Sequence, residues 1–147
     1  MRKNPTTRGV ANFAGFSAKA LEEIPLLILS WTERKKPKHI FHLGAIEVSV
    51  YSIFQGDYRW AWIARDNEGV VALGGFAEYN DRLCEILAIV QNEKRRKGGL
   101  YSAVLKGLAA FFGEIWSDFD QSQGAVGAWE KAQADFDERL GRYHLKA

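Results

Sequence analysis

Between residues 46 and 90, apolar positions alternate with polar or small ones, the period of a strand, in four runs separated by turn-forming residues. The first, Ile46 to Phe54, places Ile46, Val48, Val50 and Ser52 on one face. Gln55-Gly56-Asp57 turns the chain into Tyr58 to Arg65, with Trp60, Trp62 and Ala64 on one side and Ala61 and Ile63 on the other. Asp66-Asn67-Glu68-Gly69 turns it into Val70 to Glu78, and Tyr79-Asn80-Asp81-Arg82 into Leu83 to Val90. Gly74-Gly75 predicts a bulge or a close backbone approach in the third run. Short turns between successive runs predict an antiparallel meander.

The flanking segments follow the helical period. Ser17 is a candidate cap for a helix through Ala20, Leu21, Ile24, Leu27 and Ile28 to about Trp31, with Glu22 and Glu23 in its first turns. Pro25 is expected to kink or restart it. From Gly98 to Phe112, Leu100, Tyr101, Val104, Leu105, Leu108, Phe111 and Phe112 share one side, and Ser102, Ala103 and Lys106 the other. Gly113 stops that helix. Glu114 to Asp118 reads as a short strand. Ser122 would cap a last helix burying Val126, Trp129 and Phe136 and ending at Gly141, before a final strand from Arg142 to Leu145. Residues 1–16, with Thr6, Thr7, Gly9 and Gly15, read as a loose arm or a short first strand. The pattern predicts one α+β domain over 1–147, a central, mostly antiparallel, twisted sheet flanked by helices.

Composition narrows the picture. With 47% hydrophobic residues among 147, including five Trp, nine Phe and five Tyr, the chain can build a core. A net charge of +2 argues against a dedicated nucleic-acid binder. Glu33-Arg34-Lys35-Lys36-Pro37-Lys38 reads as a solvated connection. Cys84, the only cysteine, sits in an apolar run and reads as a small buried thiol, and His39, His42 and His144 lack metal-ligand spacing. The longest apolar run, Ile24 to Leu29, falls short of the ~18 residues a membrane span needs. No signal-peptide pattern follows Arg2 and Lys3, so a cytoplasmic location is expected.

The chemistry concentrates in the segment from Leu87 to Leu105. A buried strand enters a basic turn, Asn92-Glu93-Lys94-Arg95-Arg96-Lys97-Gly98-Gly99, which opens the amphipathic helix. Backbone N–H groups at a helix start favour an anion such as a pyrophosphate, and glycines let it approach. A solvated basic loop before a helix fits the same residues equally well. Arg96-Lys97-Gly98-Gly99-Leu100-Tyr101 resembles the acetyl-CoA loop of the GNAT acetyltransferase superfamily, Q/R-x-x-G-x-G/A, at its Arg and middle Gly. Tyr101 stands where the family has Gly or Ala. Trp60 to Phe76 looks like that family's second and third strands, and Ser117 to Lys131 like its fifth strand and fourth helix. The Ser-Asp, Gln-Ser and Trp-Glu-Lys elements are similar to those of phage- and prophage-type members. The resemblance covers about residues 58 to 135.

It implies an N-acetyltransferase in which an amine of a small molecule or protein attacks the thioester of acetyl-CoA directly. Backbone groups from Ile86 to Val90 would hold the pantetheine arm, with an N–H near Ile89 polarising the carbonyl. Arg95, Arg96, Lys97, Gly98, Gly99 and Tyr101 would hold the pyrophosphate. Alkyl amines titrate near ~10.4, so a deprotonation route is needed at neutral pH. Glu78 and Glu85 are the candidate bases, and Tyr143 the candidate acid. Ser117 and Asp118 fall where the cleft should open. Trp129 reads as core. The alternative is a GNAT-shaped binding module without catalysis, of phage or mobile-element origin, engaging a protein or nucleic acid through its basic segments. A homodimer is compatible with the exposed aromatic strands.

Overall fold

The four alternating runs form the middle of a single sheet, with both faces apolar. The computed structural model describes residues 18–90, 99–118 and 123–147. Among them eight strands pair: β1 His39–Leu43, β2 Ile46–Gln55, β3 Tyr58–Asp66, β4 Gly69–Tyr79, β5 Arg82–Val90, β6 Glu114–Trp116, β7 Asp135–Asp137 and β8 Arg142–Lys146. Their spatial order is β1-β2-β3-β4-β5-β6-β8-β7. Every pair is antiparallel except β5 with β6. The helices among the described residues are α1 Ala18–Thr32, α2 Leu100–Phe112 and α3 Gln123–Lys131.

Two apolar faces require two covers. Val48, Val50, Trp62, Ala64, Phe76, Ala88 and Val90 pack in one cluster with Leu100, Tyr101, Val104, Leu105 and Leu108 of α2 and Ala125 and Trp129 of α3. Tyr51, Ile53, Ala61, Ile63, Leu73, Leu87 and Ile89 form the second cluster with Ile28 of α1, against which Leu29 and Trp31 also pack. The α+β class and the antiparallel meander hold, as does the division of β3 into two apolar faces.

Gly74-Gly75 marks the close approach expected of it, while the bulge of this strand pair falls on the partner strand. A Cβ on Gly74 would lie 2.5 Å from the Leu87 carbonyl and 2.6 Å from Nε1 of Trp62, and one on Gly75 would lie 2.5 Å from the Tyr58 ring. The β4–β5 register also slips at this point. Gly75 faces Leu87 while Phe76 faces Glu85, so Ile86 is the extra residue of a bulge on β5. One inserted residue inverts the side-chain phase. Ala88 and Val90 beyond the bulge and Glu85 before it therefore all face α2.

Several expectations are corrected. Strand β1 was not anticipated; its Phe41 fills the space left by Gly107 of α2, and His39 stacks on Phe111 at 4.5 Å. Helix α1 runs through Pro25 to Thr32 without restarting, and the Thr32 hydroxyl donates to the Ile28 and Leu29 carbonyls. Ser102 is buried, not solvent-facing, and its hydroxyl donates to the Gly99 carbonyl at 2.9 Å. Helix α3 ends ten residues before Gly141, at Lys131. Gln133, at φ 67, closes it with a Schellman pair: Gln133 N donates to Glu130 O and Ala134 N to Trp129 O. Phe136 consequently lies half-exposed on β7, and Gly141 sits in the turn to β8. Residues 33–36 and Lys38 of the charged connection are exposed, as expected. The arm 1–16, Ser17 and Ser122 lie outside the described residues. Among the described residues no helix is long and apolar enough to cross a membrane.

Candidate functional site

The one parallel pair of the sheet is also its shortest. Strands β5 and β6 are registered at a single position, Cys84 opposite Trp116. Beyond it β5 continues to Val90, whereas the chain after Trp116 stays with β8. Ser117 N donates to the Tyr143 carbonyl at 2.9 Å, Tyr143 N donates to Ser117 Oγ at 2.8 Å, and Arg142 Nη1 donates to the Ser117 carbonyl at 2.9 Å. Fully buried Ser117 is thus a pin between β6 and β8.

Where the two strands part, a polar cluster sits inside the apolar layer. The bulge turns Glu85 under α2, where it is 3% exposed and accepts a hydrogen bond from the Tyr101 hydroxyl. Burial, first, and then the charge of Glu85 and its hydrogen bond hold the Tyr101 hydroxyl well above the usual phenol range. Asp118, 7% exposed, adds a smaller push in the same direction. The Trp129 indole N–H pulls the other way by proximity, although it makes no hydrogen bond of good geometry. Cys84 beside this cluster is buried, and burial pushes its thiol up against the opposing pull of Arg142 and Arg82. A neutral phenol is therefore locked onto a buried carboxylate, with a second carboxylate within electrostatic range.

The other end of interest is the start of α2. Gly99 is its N-cap at φ 80, a left-handed conformation that favours glycine, and no described side chain caps the helix. The first turn carries no acidic residue. Lys131, from the end of α3, reaches the same spot: a Cβ on Gly99 would lie 2.7 Å from its Nζ. A cation beside an uncapped helix N-terminus adds positive potential to the dipole's positive end, an arrangement completed by an anion.

The sequence-predicted residues divide accordingly. Glu85, Tyr101 and Asp118 come together. Tyr101, expected at the pyrophosphate, is buried with its hydroxyl on Glu85, so only its backbone remains for a phosphate. Ile89 and Val90 are buried opposite Leu73 and Ala72 of β4. Glu78 is exposed near the β4–β5 turn, opposite Leu83 and apart from Glu85. Tyr143 donates to Glu130 Oε2 at 2.9 Å near the surface; burial and Glu130 raise its pKa. Arg95, Arg96, Lys97 and Gly98 lie outside the described residues. Lys131 was missed because its relation to Gly99 exists only once α3 packs beside α2. Trp129 is core, with no exposure, as read from the sequence. No protein-family model matches the chain, and no curated protein and no solved structure matches it.

Proposed function

We propose that the chain is a GNAT-type N-acetyltransferase that moves an acetyl group from acetyl-CoA to an amine of a small molecule or protein. The observation that carries this reading is the start of α2, where a helix end that no described side chain caps, left-handed Gly99 and the Lys131 ammonium converge. That is the chemistry of a pyrophosphate site, and the adjoining Arg95, Arg96 and Lys97 extend the positive charge. The parallel pair parts after Cys84 and Trp116, immediately before Glu85, which supports the same reading. Bound there, acetyl-CoA supplies an acyl thioester to a nucleophilic amine.

In this reading the chain's own residues do three things. The α2 N-terminus and Lys131 hold the anionic end of the donor. The bulge at Ile86 breaks the β5 ladder beside the reacting centre. Glu85, oriented by Tyr101, takes the proton released by the amine, directly or through water. The opposite face of that geometry favours a second reading, a non-catalytic module of the same shape: Glu85 is buried and already bonded to Tyr101, as a structural carboxylate would be.

Calorimetry with CoA, followed by an amine panel with acetyl-CoA, separates the two. The enzyme reading expects CoA binding, weakened about fivefold by Lys131→Ala (~1 kcal/mol for one partly screened charge), and amine-dependent release of free thiol. Binding without release selects the module. No CoA binding by folded protein removes the donor site from both.

A further inference from the structure

At the end of the sheet away from Gly99, the β4–β5 turn, the C-terminus of α2 and the start of β6 enclose a cavity of about 380 Å³. Its walls and rim come from Trp60, Leu83, Phe112 and Trp116 together with Glu78, Asp81, Glu114 and Arg82. We propose that this cavity binds an organic cation, an ammonium group carried on an apolar or aromatic body, at a site independent of the proposed acetyl transfer.

The charge and the walls point to the same ligand. Three carboxylates face one guanidinium, so the cavity is net negative. That guanidinium is already placed, 5.3 Å from the centre of the Trp116 ring, while His144 stacks on Trp116 at 3.9 Å. Glu114 Oε1 lies 2.5 Å from His144 Nε2, outside hydrogen-bond geometry. Trp116 is thus fixed in place with its buried ring already covered by Arg82 and His144, which leaves Trp60 as the aromatic wall open to a ligand. Trp60 is held edge-on by Phe112 at 4.9 Å and by Phe111 at 5.9 Å, giving a rigid aromatic wall. Neither Glu78 nor Asp81 makes a hydrogen bond or ion pair with another described residue; both are exposed on the rim, open to a ligand. An anion would meet net repulsion. A small inorganic cation would leave the aromatic walls unused. An ammonium on an apolar body uses both, through charge attraction and contact with ring faces.

Titration of the protein without CoA tests this, using 2-phenylethylammonium, neutral 2-phenylethanol and phenylacetate as probes, read by tryptophan fluorescence and calorimetry. The expected result is binding of the ammonium alone, weakened when salt is raised. The rim variant Glu78→Gln/Asp81→Asn should bind it about tenfold more weakly, each exposed charge contributing a few-fold. Both changes sit on exposed residues, and Asn is at home at the φ of 63 that Asp81 adopts. Equal binding of the alcohol and the ammonium would overturn the proposal, as would unchanged affinity in the rim variant. So would no binding of the ammonium at millimolar concentration by folded protein.

Discussion

At the scale of single residues, Tyr101 and Glu85 form the unusual contact of the molecule, a phenol and a carboxylate sealed between sheet and helices. Burial and Glu85 raise the Tyr101 pKa well above its ordinary 10.0. The folded state therefore holds this proton more tightly than the unfolded chain. Its contribution to stability is complete below pH 10 and is lost as pH rises above that value. Urea midpoints measured from pH 8 to 11 should fall more steeply for the parent than for Tyr101→Phe. At neutral pH Tyr101→Phe should cost about 1–3 kcal/mol, because it removes a hydrogen bond from a buried carboxylate. Parallel pH profiles would mean that Tyr101 ionises as it does in water. Gly74→Ala is the other informative change at this scale. Its Cβ would press a backbone carbonyl and the buried Trp62 indole, neither of which can move aside cheaply. A loss of roughly 1–3 kcal/mol in chemical denaturation is expected, the cost of overpacking.

At the scale of elements, Gly107 tests the packing of α2 on β1. A Cβ there overlaps the Phe41 ring, so Gly107→Ala should lower the melting temperature by several degrees despite its better helix propensity. The penalty should shrink in a Phe41→Leu background, where the ring is gone; a constant penalty would place the strain elsewhere. This contact illustrates which parts of the fold were legible in the sequence. Strands β2 to β5 were, because alternation between two apolar faces leaves a period of two, and so was α2, from its apolar stripe and stop at Gly113. Strand β1 was not: His39-Ile40-Phe41-His42-Leu43 is too short to establish a period after a charged run. The end of α3 was hidden because Trp129, Ala132 and Phe136 continue a helical spacing past the stop. The residue that stops the helix is Gln133 in a left-handed conformation, where a glycine would have announced it. The candidate site was half legible. Glu85 and Asp118 were named, but the bulge that turns Glu85 inward adds one apolar residue to an apolar run and leaves no mark in the pattern.

At the scale of the whole molecule, α2 separates two regions of opposite potential. Its N-terminus meets Lys131, and its C-terminal Phe112 borders the cavity rimmed by Glu78, Asp81 and Glu114. Thirteen helical residues put these regions about 20 Å apart, and they share no residue. Ligands at both ends should therefore stabilise the fold independently. A ligand that binds only the folded state contributes about 2.7 kcal/mol at a hundred times its Kd. With CoA and 2-phenylethylammonium each at that ratio, denaturation in the presence of both should give the sum of the separate gains to within ~0.5 kcal/mol. Raising salt should shrink each gain, because each site draws on exposed charge. A combined gain no larger than the better single ligand would mean that the two compete for one site, contrary to the separation of the ends. A combined gain exceeding the sum would mean that α2 transmits binding from one end to the other. The proposed transfer would then have an effector site for an organic cation at the far end of the same helix.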